Sequence, residues 1–234
     1  MALDVYVGSL ARYYAGEWEN IAEKTARERG AQYQIGHPGG AADRLKDPQR
    51  IPPAVLAWRD TLATSFGSSV VMGLDWDEAS DAPHFTGRPG WDGFGSLVLW
   101  AAYAEHPALR RPDRLPEEWD DDPALLRCNA GGSRYSHLVG NVELWLPSAF
   151  DFTFEGQDVD GRRIVVGSSL VLARQLTELN GATWKAGESE VLRWAQAAPA
   201  DDAMLELKAR HGFAILDGLV RQAVGHRLPM KLDY

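Results

Sequence analysis

The stretch from residue 152 to residue 166 reads Phe-Thr-Phe-Glu-Gly-Gln-Asp-Val-Asp-Gly-Arg-Arg-Ile-Val-Val and predicts a β-hairpin. Both ends, 152–154 and 163–166, contain the aromatic and β-branched residues that favour strands. The Asp160-Gly161 step between them suits a tight turn, because glycine adopts the required backbone conformation without strain. The hairpin therefore favours a sheet that contains antiparallel strands.

Strand and helix patterns follow one another irregularly in the rest of the chain. Residues 3–8 are rich in strand formers and predict a central first strand, whereas the apolar run 94–105 predicts a buried helix. This order does not fit a doubly wound sheet and favours the α+β class, with a mixed or antiparallel sheet and several packed helices. No linker or repeat divides residues 1–234, which predicts a single globular domain.

Glycine, proline and capping residues predict the boundaries of further elements. The expected elements are a helix over 16–29 before Gly30, a helix from Pro53 to Phe66 before Gly67, a strand over 69–74, a polar loop over 79–93, an irregular acidic stretch over 112–122, a helix capped by Ser168 or Ser169, and a long final helix capped by Asp201 or Asp202. In that final helix, Gly212 is expected to lower helix stability by about 1 kcal/mol relative to alanine, because glycine loses more backbone entropy on folding.

The composition is that of an acidic globular protein. The 234 residues carry 24 Lys+Arg against 33 Asp+Glu, a net charge of −9, and 45% are hydrophobic, which argues against disorder and against nucleic acid as a partner. Cys128 is the single cysteine, so no internal disulfide can form. No apolar run reaches the roughly 18 residues of a membrane helix, and the N-terminus does not resemble a signal peptide. We therefore expect a cytoplasmic protein that contacts neither a membrane nor nucleic acid.

Two carboxylates, Asp75 and Asp77, stand at the end of a predicted strand. Residues i and i+2 of a strand face the same side, so the pair is suited to share a divalent cation through oxygen ligands. The loop that follows supplies Asp81, His84 and Asp92 as further ligand candidates. The alternative interpretation is a loop cap whose neighbours are solvated.

Three of the nine tryptophans lie on predicted loops beside carboxylates. Exposed indole rings surrounded by carboxylates suit a cationic partner such as a basic protein face, and indoles also stack on sugar rings. In the alternative interpretation, each ring folds back to cover an edge of the core. The predicted binding surface consists of Asp75, Trp76, Asp77, Trp91, Asp92, Glu118 and Trp119.

Recognisable catalytic motifs are absent from the sequence. Segment 129–137 reads Asn-Ala-Gly-Gly-Ser-Arg-Tyr-Ser-His, but it lacks both the Gly-Lys-Ser/Thr of a phosphate loop and the Gly-x-Ser-x-Gly of a nucleophile elbow. His84 and His137 are the candidates for acid–base chemistry. Cys128 lies close to Leu125 and Leu126 and is expected to be a buried structural thiol.

The chain opens with residues 3–10, Leu-Asp-Val-Tyr-Val-Gly-Ser-Leu, followed by Arg-Tyr-Tyr at 12–14. This opening resembles the start of an uncharacterised family of bacterial proteins, and later segments such as 228–234 are similar to the same group. The resemblance covers short separated segments and implies neither an activity nor a site residue. The acidic, tryptophan-rich composition also resembles that of bacterial immunity proteins, which implies a toxin inhibitor.

We therefore expect a non-catalytic acidic binding protein of immunity or inhibitor type, which binds a basic protein through loops 75–93 and 113–122 without a cofactor. The alternative is a metal-assisted hydrolase in which Asp75 and Asp77 bind a divalent metal, with His84 and His137 as ligand, acid or base. A carbohydrate-binding module is a third option. The main hypotheses require distant segments to share one exposed surface.

Overall fold

The computed structural model describes residues 3–30, 47–67, 74–79 and 81–234. Within these ranges the strands are β1 (Asp4–Val7), β2 (Phe85–Gly87), β3 (Leu144–Leu146), β4 (Phe154–Gln157), β5 (Arg163–Ser168) and β6 (Met230–Asp233). The helices are α1 (Leu10–Ala15), α2 (Ile21–Glu28), α3 (Ile51–Phe66), α4 (Gly90–Glu105), α5 (Pro123–Gly131), α6 (Ser136–Val139), α7 (Ser169–Ala182), α8 (Glu188–Gln196) and α9 (Leu205–His226). The fold is α+β, as the sequence predicts.

The strands form one mixed sheet in the order β2-β1-β6-β3-β5-β4. Neighbouring strands are antiparallel except β3 and β5, which are parallel. The last strand in the chain, β6, lies between β1 and β3 and pairs with both, so that Val7 is opposite Met230 and Leu144 is opposite Lys231. The final residues of the chain therefore join the amino-terminal strands to the remainder of the sheet.

Helices cover both faces of this sheet. On one face α4, α7 and α9 pack over Val5, Trp145 and Met230. On the other face α1 and α3 pack over Leu144 and Ile164. Because successive strand residues point to opposite faces, the short strands contribute to two separate apolar cores.

The helices α4 and α9 cross in close contact at two glycines. A Cβ atom built on Gly212 would lie 2.2 Å from the backbone oxygen of Gly93. Only a residue without a side chain permits this approach of two backbones. The glycine that the sequence marks as a weak point is therefore the residue that allows the two helices to touch.

Local sequence signals predicted several elements correctly. The hairpin is present, with β4 and β5 antiparallel and Gly161 in the left-handed region at φ 77°. Helix α3 ends at Phe66 before Gly67. The hydroxyl of Ser168 caps α7 by accepting a hydrogen bond from the backbone of Val171.

The helix expected over 16–29 is wrong, because the chain forms two helices there. Gly16 adopts φ 68° and ends α1, and the side chain of Asn20 then caps α2 in a reciprocal contact with Glu23. The final helix begins at Leu205, after the residues expected to cap it.

The loop expected over 79–93 contains strand β2 and the first residues of α4. The strand expected over 69–74 lies outside the described residues, apart from Leu74, which is not in a strand. The acidic stretch 112–122 is irregular as predicted, with a single 3-10 turn at Trp119–Asp121.

Candidate functional site

The segment around Trp76 does not present the expected exposed indole. Trp76 is only 3% exposed, and its N–H donates to the carboxylate of Glu78, which also accepts the backbone N–H of Ala11 at the start of α1. The ring lies 6.4 Å from that of Trp58 on α3. Trp76 therefore belongs to the core that α1 and α3 cover. The prediction that its ring forms part of an exposed binding surface is wrong.

The candidate metal ligands do not converge. Asp75 pairs with the guanidinium of Arg227 at 2.6 Å, and Asp77 accepts the backbone N–H of Ala79. The Nδ1 atom of His84 accepts from the guanidinium of Arg12 at 2.9 Å. Burial and this neighbouring positive charge both lower the pKa of His84. In the part of the chain that the structure describes, no three His, Cys, Asp or Glu side chains are placed to hold a metal ion.

Trp91 and Asp92 lie in the first turn of α4, rather than on a loop. Asp92 pairs with the buried Lys208 of α9, and the half-buried ring of Trp91 contacts that of Tyr234 at 5.2 Å. Both therefore serve internal contacts in this structure.

Asp75 and Asp92 lie near opposite ends of α9. Asp92 contacts Lys208 in its first turn, and Asp75 contacts Arg227, which caps its C-terminus. Nineteen residues of helix rise roughly 28 Å, so the two contacts are about that far apart. The two segments that we expected to form one exposed surface therefore contact opposite ends of α9.

Trp119 anchors the acidic stretch to α4. Its half-buried ring lies on Gly95, where an added Cβ would be 2.7 Å from the indole. Gly95 is three residues after Asp92, so this stretch lies beside the first turns of α4. The ring faces the protein, and the adjoining carboxylates remain at the surface.

Residues 116–123, which we name the acidic loop, form a shallow depression of about 530 Å³. Its lining consists of Pro116, Glu117, Glu118, Asp121, Asp122 and Pro123. Within the described ranges, the exposed side chains of Glu117, Glu118, Asp120 and Asp121 have no ion pair. Glu118, which the sequence predicted to bind a partner, lines this depression.

Asp122 fixes the end of the acidic loop. Its buried carboxylate accepts the hydroxyl of Tyr103 at 3.0 Å and the backbone N–H of Ala124 at 2.8 Å, which caps α5. Burial, followed by the contact with this carboxylate, raises the pKa of Tyr103 to about 12. The hydroxyl therefore stays protonated at neutral pH and holds the loop to α4.

His137 is enclosed in the core and is not placed for catalysis on an external substrate. Its Nδ1 accepts the backbone N–H of Ser168 at 2.8 Å, and its carbonyl accepts the indole N–H of Trp145. Burial lowers its pKa. Ser133, its sequence neighbour, donates instead to Glu105. His137 is therefore not retained as a candidate acid or base, because it is buried and connects β3, β5 and α6.

A group of ionisable side chains beneath α1 escaped the sequence analysis. Lys231 is 1% exposed and lies 3.5 Å from Asp158, which is 5% exposed, with Tyr13 and Tyr14 of α1 above the pair. We name these four residues the Lys231 cluster. In strand β6, alternation places Lys231 on the opposite face of the sheet from Met230 and Leu232.

No protein-family model matches the chain, and comparisons with curated proteins and with solved structures found no match. No helix in the described ranges is long and apolar enough to cross a membrane. Function is therefore inferred from the geometry of the molecule.

Proposed function

We propose that this protein is a non-catalytic binding protein that holds a cationic segment of a partner protein on the acidic loop. The observation that carries the proposal is the group of exposed carboxylates without ion pairs around a depression. Residues 115–123 contain five carboxylates and no basic residue. Like charges this close repel one another, and an arriving cation relieves that repulsion.

The acidic loop is held in place before a partner arrives. Pro116 and Pro123 restrict the backbone at its two ends, because their rings fix φ. Trp119 packs on Gly95, and Asp122 is bonded to Tyr103. A preorganised surface loses less conformational entropy on binding, which favours recognition through few contacts.

The class of partner follows from the charge of the depression. Lysine and arginine side chains on a basic protein match its carboxylates, and a basic toxin inhibited by this chain is one such partner. The proposal requires no cofactor, and we place the interaction in the bacterial cytoplasm. No observation of the described residues favours the metal-assisted alternative, because Asp75 and Asp77 have other partners.

Binding of a fluorescein-labelled octa-arginine peptide, followed by anisotropy at low salt, tests the proposal. The variant E117Q/E118Q/D121N removes three charges from the depression. The matched control E28Q/D60N/D202N removes three exposed charges elsewhere on the chain. We expect the loop variant to weaken binding at least about tenfold and the control to weaken it less than about twofold. Equal losses would show that the net charge, and not the acidic loop, attracts the peptide.

A further inference from the structure

Trp119 lies flat on α4 and leaves one face of its indole uncovered. A Cβ built on Gly95 would meet the indole atoms Cε2, Cδ2 and Nε1 at 2.7, 3.0 and 3.0 Å, and these atoms are at or next to the bond that the two rings share. One face of the indole therefore rests on the helix backbone. Because the residue is half-buried, its exposed part belongs to the opposite face and the ring edge. Among the described residues, no guanidinium or ammonium group lies over this ring.

Carboxylates adjoin this uncovered indole. Glu118 and Asp120 are the chain neighbours of Trp119, and both are exposed and without an ion pair within the described ranges. Trp119 also begins the single 3-10 turn that ends at Asp121. Glu118 lines the depression of the acidic loop, so the indole stands at the border of that depression. A cation on the uncovered face therefore has negative charge close by on both sides in the chain.

Other tryptophans of this chain hold an arginine side chain over the ring. The Cζ atom of Arg210 lies 5.1 Å from the ring centre of Trp194, and the same guanidinium donates to the carboxylate of Glu206 at 2.6 Å. The Cζ atom of Arg59 lies 5.3 Å from the ring centre of Trp76. The acidic loop has the indole and the carboxylates of the first arrangement and, in the described part of the chain, lacks its guanidinium.

A guanidinium suits such a place better than an ammonium does. The guanidinium is planar, so it can lie flat on an indole while its N–H groups point sideways to carboxylates at the ring edge. It is also more weakly hydrated than an ammonium, so contact with the ring removes less favourable hydration. The difference in binding between arginine and lysine is therefore expected to be largest where an indole face and carboxylates adjoin.

We propose that the acidic loop selects arginine over lysine in its cationic partner, with one arginine guanidinium stacked on the uncovered face of Trp119. Glu118 and Asp120 accept the N–H groups of this guanidinium, and the other carboxylates of the loop attract further basic side chains of the partner. This inference rests on the proposed function, because it requires a cationic segment to bind the loop. It adds the chemical identity of the side chain that is recognised.

Two fluorescein-labelled peptides of equal charge, octa-arginine and octa-lysine, test the proposal by anisotropy at the same low salt concentration. We expect the wild-type protein to bind octa-arginine about fivefold more tightly than octa-lysine. The variant W119L keeps an apolar side chain on α4 but has no indole face, and we expect it to reduce this ratio to less than about twofold. The matched control W58L removes a half-buried indole on α3 and should keep the wild-type ratio.

The ratio of the two affinities separates recognition by the indole from support of the loop. If W119L weakens both peptides by the same factor, or if the wild-type protein binds them equally, the selection of arginine is overturned while partner binding stands. The variant W119F retains an aromatic face, so it should fold and give an intermediate ratio of about threefold. Failure of the proposed function looks different, because E117Q/E118Q/D121N and its own control would then lose octa-arginine binding equally.

Discussion

Replacing Gly212 by alanine should destabilise the protein, although alanine is the better helix former. A Cβ at this position would lie 2.2 Å from the oxygen and 2.6 Å from the carbonyl carbon of Gly93. Both contacts are with backbone, so no side-chain rotation can relieve them. Helices α4 and α9 would have to separate by about 1 Å to restore ordinary contact distances.

The magnitude follows from two opposing terms. Overpacking of this kind costs about 1–3 kcal/mol or more, and alanine returns about 1 kcal/mol of helix propensity. We therefore expect G212A to lower the free energy of unfolding by about 2 kcal/mol. Gly218 on the same helix is a matched control, because no atom lies within 4 Å of its added Cβ and it is exposed. G218A should raise the free energy of unfolding by up to about 1 kcal/mol.

Urea unfolding followed by circular dichroism measures both variants. We expect the midpoint of G212A to fall and that of G218A to stay level or rise, with unchanged slopes. G93A supplies a second comparison, because the nearest atom to its added Cβ is 3.5 Å away, an ordinary contact. If G212A proved as stable as G218A, then α4 and α9 would not cross at these glycines, and the core described above would be wrong.

Three further variants test the site and the core. G95A places a Cβ 2.7 Å from the ring of Trp119, so it should shift the acidic loop and weaken octa-arginine binding about threefold in the anisotropy assay. Y103F removes the hydrogen bond to Asp122 and should lower the free energy of unfolding by about 1 kcal/mol in urea titrations, because a buried acceptor loses its donor. The lowered pKa of His137 means that below about pH 6.5 the unfolded chain binds a proton that the folded chain does not, so this residue makes stability fall on acidification. H137Q should lose less free energy of unfolding than wild type between pH 7 and pH 5, and an equal loss in both would contradict the assignment.

Signals that act within a few residues were readable in the sequence. Asp160-Gly161 turns the hairpin, Ser168 caps α7 and Gly67 ends α3, and each depends on backbone conformation at that point. The α+β class followed from the order of such elements. Strand β6 could not be recognised in the same way, because it has four residues, contains Lys231 and is defined by pairing with two strands distant in the chain.

The placement of the acidic and aromatic residues depended on contacts between distant segments. Trp76 lies on a loop, as expected, yet it fills the second core because Glu78 accepts its N–H and α3 packs beside it. Asp75 and Asp92 read alike in the sequence, but their partners, Arg227 and Lys208, are at opposite ends of α9. The sequence could not indicate these partners, since each is more than a hundred residues away.

The unpaired and the buried charges of this molecule have different physical consequences. At the acidic loop, exposed carboxylates cost little in water and attract cations over roughly a Debye length, which suits them to recruit a partner. At Lys231 the charge is removed from water, and apolar residues of similar volume would stabilise a sheet there equally well or better. A role in core stability alone therefore gives no reason for an amine between Tyr6 and Leu144. The same removal from water favours the neutral form of the amine, an effect that the neighbouring Asp158 opposes.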